Sequence, residues 1–184
     1  MKIPYVNLKK QYLSERSELL KIIDKTFLSG DWVGGDEVVK FENKIKNICG
    51  TKYALALNSG TDALTLSLYL LGVRRGDEVI TPSNSFIAST ATIIHLGAKP
   101  VFVDVKDDQN MNELEIENKI TKKTKAIMPV HLTGRMCEMD KIIKISKKYK
   151  IPVVEDCAQA IMSKYKNKNS GSWGDVGCFS AHPL

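Results

Sequence analysis

The sequence has only four cysteines, and no two of them form a CxxC pair: Cys49, Cys137, Cys157 and Cys178 stand far apart. That spacing indicates neither a zinc site nor a disulfide framework, so the thiols are expected to be reduced, small core residues. The N-terminus, Met-Lys-Ile-Pro-Tyr, has no apolar signal segment, and no uninterrupted apolar run approaches the length that spans a bilayer. A cytoplasmic protein with no membrane partner is the expectation. Acidic residues are outnumbered, 21 against 27 basic ones. The lysines are nevertheless spread along helix faces and form no basic stripe interleaved with aromatics, which argues against a nucleic-acid partner. Internal repeats, low-complexity tracts and linkers are absent as well, so nothing splits the 184 residues into two domains. Neither a GxGxxG fingerprint nor a GxxxxGK[ST] loop occurs.

What is present is a composition able to bury a core, with 43% hydrophobic and 26% charged residues. Tyr12, Leu19, Leu20, Ile23 and Phe27 share one helical face that stops at Ser29-Gly30. Val38, Phe41, Ile45 and Ile48 mark a second helix stopped by Gly50. The glycines between them are read as a helix connection. From residue 53 the period changes. Tyr53 to Leu57, Val79-Ile80, Val101 to Val103, Ala126 to Val130, Ile151 to Val154 and Val176 to Phe179 read as strands. Helices lie between them at Ala63 to Leu71, in a segment ending near Gly97, and along the face of Met139, Ile142, Ile143 and Tyr149. Strands alternating with helices predict an α/β fold, a mostly parallel sheet with helices on both faces.

Three strand ends carry polar or aromatic punctuation. The apolar run from Ile151 ends in Glu155, Asp156 and, three residues beyond Asp156, Gln159. The carboxyl edge of an open α/β sheet is where ligands bind, so Asp156 is either a ligand-facing carboxylate or a cap for the following turn. Ser59-Gly60-Thr61 lies between a strand and a helix, where the first helical amides and a glycine suit an anion such as phosphate; simple helix capping would use the same residues. Phe86 stands where a helix starts, either as a flat ring over a flat ligand or as a core residue.

Six motifs then occur in order: Ser-Gly-Thr-Asp-Ala-Leu (59–64), Gly-Asp-Glu-Val-Ile-Thr-Pro-Ser (76–83), Gly-Ala-Lys-Pro-Val-Phe-Val-Asp (97–104), Val-His-Leu-Thr-Gly (130–134), Glu-Asp-Cys-Ala-Gln-Ala (155–160) and Cys-Phe-Ser-Ala-His-Pro-Leu (178–184). Together with Ile3-Pro-Tyr, Gly34 and Phe41-Glu42, they resemble the DegT/DnrJ/EryC1/StrS family of pyridoxal-phosphate-dependent sugar aminotransferases over nearly the whole chain. The resemblance implies a fold-type-I transferase in which residues 1–184 are the N-terminal part of the cofactor-binding large domain. It implies transfer of an amino group, usually from glutamate, to a keto group of a nucleotide-linked sugar, with the cofactor alternating between pyridoxal and pyridoxamine forms. It also implies a homodimer with the active site at the interface.

Carried over residue by residue, Asp156 would pair with the pyridine nitrogen of pyridoxal 5'-phosphate, and Gln159 would contact the ring's hydroxyl side. Gly60 and Thr61 would hold the phosphate through their amides, helped by the Ser180 hydroxyl, and Phe86 would stack on the ring. His131 and His182 match family positions, and a packed or hydrogen-bonded role is expected for each. In the family the segment at 179–184 runs directly into the Schiff-base lysine, so the resemblance places that lysine immediately after Leu184. The rest of the large domain and a small C-terminal domain would follow. A histidine at that next position would imply a dehydratase of the same family. A third possibility is a catalytically silent regulatory protein that binds the cofactor without turnover.

Overall fold

The computed structural model describes residue 4 and residues 6–182. Ile3, Tyr5, Pro183, Leu184 and the position expected for the lysine lie outside the described residues. Seven strands are present among them: β1 (Glu78–Pro82), β2 (Lys99–Val103), β3 (Thr124–Ile127), β4 (Val154–Asp156), β5 (Lys164–Tyr165), β6 (Lys168–Asn169) and β7 (Val176–Cys178). β2, β1 and β3 pair in parallel, as do β4 and β7. Parallel bridges Ile127 to Val153 and Val130 to Asp156 join the two sets, which gives the lateral order β2-β1-β3-β4-β7. β5 and β6 form a separate antiparallel hairpin.

Strand alternation explains why the core has two halves. Val79, Ala126, Met128, Val154 and Cys178 pack with Leu64 and Leu68 of α3 (Gly60–Leu70) and Ile93 of α4 (Ile87–His95). Their neighbours Ile80, Ile127 and Val153 join a second cluster with Ile116 of α5 (Glu113–Lys119) and Met139, Ile142 and Ile145 of α6 (Met139–Tyr149). Successive side chains of a strand point to opposite faces, so a sheet apolar on both faces has to be covered on both. Each fully buried Leu or Ile here contributes about 1.5–3 kcal/mol. The four cysteines are free and buried, as expected.

The two N-terminal helices are different. α1 (Leu8–Ser29) buries none of its residues and α2 (Gly35–Cys49) buries only Cys49. Both end on glycines in the left-handed region, Gly30 and Gly50, as their sequences predict. Among the described residues no helix is long and apolar enough to cross a membrane.

Two strand expectations need correction. Residues 53–57 form no strand: Tyr53 and Leu55 are exposed, and no strand among the described residues pairs with them to complete a ladder. A β-branched or aromatic pattern gives strand only where a partner supplies the other half of the hydrogen bonds. The strand expected at 151–154 is assigned three residues later, at Val154–Asp156. Ile151 is instead tied to the end of α6, where its amide donates to the Ser146 carbonyl and its carbonyl accepts from Ser146 Oγ. Pro152 has no N–H to offer a neighbouring strand. Asp156 is therefore the last residue of β4.

Candidate functional site

The carboxyl ends of β1, β3, β4 and β7 open on the same edge, and the N-termini of α3 and α4 arrive there. Asp156 projects from the face of β4 that α3 and α4 cover, and it is 5% exposed. Ser89 Oγ, one turn into α4, donates to Asp156 Oδ2 at 2.8 Å, and the Ala158 amide donates to Oδ1 at 3.2 Å. Ser85 and Ser89 hydroxyls are 2.7 Å apart, extending the chain of hydrogen bonds to the start of α4. Among the described residues no lysine or arginine pairs with this carboxylate. Burial pushes the Asp156 carboxyl up from its ordinary value, against the opposing hydrogen bonds from Ser89 and Ala158. Asp156 is thus a buried acid whose desolvation its two hydrogen bonds only partly compensate.

The second half of the site is the start of α3. Ser59 is a true N-cap, its Oγ accepting from the Asp62 amide at 3.1 Å. Gly60 and Thr61, the first helical residues, have no helical carbonyl ahead of their amides. Gly60 also faces Ser180 so closely that a Cβ there would lie 3.0 Å from Ser180 Cβ and 3.1 Å from the Phe179 carbonyl oxygen. Glycine is needed for this approach, and it brings the Ser180 segment against the helix N-terminus. Capping and cradle are therefore compatible: Ser59 caps, while two amides and a hydroxyl-bearing segment remain together.

Gln159 is exposed in the turn after β4, and its Oε1 accepts from the Thr133 amide at 2.6 Å. That bond fixes the carboxamide so that its NH2 group is left for another partner. Thr133 is held at φ 56, a left-handed conformation costly for a β-branched residue. Phe86 is 69% exposed at the N-cap of α4, so it is not a core residue. Its carbonyl accepts from the Ser89 amide, the same residue that bonds Asp156. The sheet edge thus assembles Asp156 with Ser89 one turn beyond Phe86, and Gly60 with Ser180. Gln159 is tied to the turn after β3.

The described structure adds residues that sequence reasoning did not single out. Ser89 has no motif to mark it. Glu155, beside Asp156, is fully buried on the opposite face of β4 and accepts from His131 Nε2 at 3.0 Å. The Cys137 amide donates to His131 Nδ1 at 3.2 Å, which places the ring hydrogen on Nε2. His131 is therefore buried and hydrogen-bonded, as expected. His131, Glu155 and Cys157 offer ligand atoms within 4.8 Å of one another. Burial pushes the Cys157 thiol well above its ordinary value, while Glu155 accepts from His131 and from the amides of Gly171, Trp173 and Gly174.

A mostly parallel α/β sheet with polar groups gathered at its carboxyl edge is the architecture expected of a fold-type-I aminotransferase, and known structures agree. A crystal structure of DesV from S. venezuelae superposes with a TM-score of 0.95 at 37% identity, over 99% of this chain and 49% of that one. NtdA of Bacillus subtilis, solved with bound cofactor PMP, superposes at 0.89 with 31% identity, over 96% of this chain and 40% of that one. Among curated sequences, dTDP-3-amino-3,6-dideoxy-alpha-D-galactopyranose transaminase from Aneurinibacillus thermoaerophilus is 43% identical over 97% of this chain and 49% of its own length. The profile described as the DegT/DnrJ/EryC1/StrS aminotransferase family matches residues 14–184. The chain belongs to that family. It spans about half the length of these relatives.

Proposed function

We propose that this chain is the N-terminal part of the large domain of a pyridoxal-phosphate-dependent nucleotide-sugar aminotransferase, with glutamate as amino donor. The observation that carries the reading is Asp156: a buried carboxylate that pairs with no lysine or arginine among the described residues, at a strand end, beside an adjacent strand end that closes on the first amides of α3. Pyridoxal phosphate, when bound, supplies an electron sink for the pair left behind as the donor's α-proton departs. Asp156 holds a proton on the ring nitrogen. An opposite charge about 4 Å away at an effective dielectric near 20 is worth roughly 4 kcal/mol, less the carboxylate's own desolvation. Ser89 keeps Asp156 oriented and Gln159, held by Thr133, presents its NH2 to the ring hydroxyl. Gly60 and Thr61 amides with Ser180 receive the phosphate, and Phe86 covers one ring face. The complete protein is a homodimer with this edge near the interface.

The test is single-turnover conversion of bound pyridoxal phosphate to pyridoxamine phosphate by excess glutamate in the complete protein, with bound cofactor quantified separately. Asp156→Asn keeps the shape and removes the charge, so conversion falls by about two or more orders of magnitude while cofactor retention falls far less. Near-normal conversion by the variant would make Asp156 a structural cap.

A further inference from the structure

The segment Gly171-Ser-Trp-Gly-Asp-Val-Gly177 is placed by one buried side chain. Glu155 Oε1 accepts from the Trp173 and Gly174 amides, each at 2.7 Å, and Oε2 accepts from the Gly171 amide at 3.1 Å and from His131. Four donors on one fully buried carboxylate leave it no freedom to reorient. The loop it holds lies hard against the sheet: a Cβ on Gly174 would lie 2.6 Å from the Val153 carbonyl oxygen, and one on Gly177 would overlap Gly171. Gly171 in turn lies against the Phe179 ring, whose nearest atoms would be 2.6 Å from a Cβ there. Phe179 and Ser180 then close on Gly60 at the start of α3. A continuous chain of contacts runs from Glu155 through the loop and Phe179 to the helix amides.

We propose that Glu155 is a positioning residue for the anion-binding end of the site: by holding the 171–174 loop it sets Phe179 and Ser180 against the N-terminus of α3. This rests on the reading that those amides receive the cofactor phosphate. Glutamine at 155 has one acceptor oxygen, so its NH2 must face a backbone N–H, and His131 cannot accept there while its Nδ1 is held by Cys137. The loop is expected to shift, and Ser180 with it.

The experiment compares pyridoxal phosphate with pyridoxal, which lacks the phosphate, by titrating the apo form of the complete protein and following absorbance. Glu155→Gln is expected to lose roughly ten- to a hundredfold in affinity for pyridoxal phosphate and to stay within about threefold for pyridoxal. Equal losses for both, or no loss, overturn the proposal while the cofactor reading stands. Failure of the unaltered protein to bind pyridoxal phosphate overturns both. Should Glu155→Gln not fold by circular dichroism, Phe179→Leu carries the same decision, because it leaves every Glu155 hydrogen bond in place and removes the ring that transmits it.

Discussion

Two adjacent carboxylates end β4 and serve opposite faces of the sheet, because side chains alternate along a strand. Glu155 faces four donors, whereas Asp156 has two neutral ones and a burial penalty on its charge. The sign of that penalty makes a prediction. A carboxyl raised above its unfolded value contributes stability below the unfolded value and loses it as pH rises through the folded one. Ionising Asp156 therefore destabilises the cofactor-free protein. Asp156→Asn should raise the melting temperature of the apo form, on the order of 1 kcal/mol or roughly 2–4 °C, while lowering conversion by about two or more orders of magnitude. A lower apo melting temperature would contradict the assignment of an uncompensated charge. Phe86 behaves in the opposite way. Its ring is mostly exposed, so Phe86→Ala should leave the melt nearly unchanged and weaken cofactor retention by about 0.5–1.5 kcal/mol plus the apolar area it covers. A large fall in melting temperature with unaltered cofactor affinity would refute stacking.

Individual elements carry their own tests. α3 begins with a glycine although alanine is the better helix former, and the close approach of Ser180 is the reason. Gly60→Ala should keep the fold and lower pyridoxal-phosphate affinity roughly tenfold, read by titration alongside a melt. α5 and α6 are clamped by Glu113, 3% exposed, which pairs with Lys106 and Lys141 at 2.9 Å each. Burial opposes the Glu113 charge, but the two lysines outweigh it and hold the carboxyl down at about 2 from 4.5. The group's stabilising contribution is thus present above pH 4.5 and is lost as pH falls toward 2. Glu113→Gln should cost up to about 3 kcal/mol near neutrality, with the difference vanishing at the acid end of a denaturation series. A pH-independent cost would show that packing matters more than charge.

Across the whole molecule, the sheet is covered on both faces, but α1 and α2 leave Leu13, Ile22, Leu28 and Phe41 exposed, and the connection between them exposes Val33. The complete protein is expected to sediment as a dimer, and a fully active monomer would contradict this. The sequence alone determined the alternation of strands and helices, the glycine stops at Gly30 and Gly50, and the strand-end residues proposed for the site. These are local matters of period, turn chemistry and motif. It misjudged residues 53–57, because strand formation needs a partner that the pattern does not contain. Only the tertiary structure decided which serine orients Asp156, since Ser89 is 67 residues away along the chain. Tertiary packing likewise separated the roles of Glu155 and Asp156, whose neighbours come from different faces. Gly60 and Ser180 meet for the same reason: parallel strands bring distant residues to one edge, and a one-dimensional pattern does not record that distance.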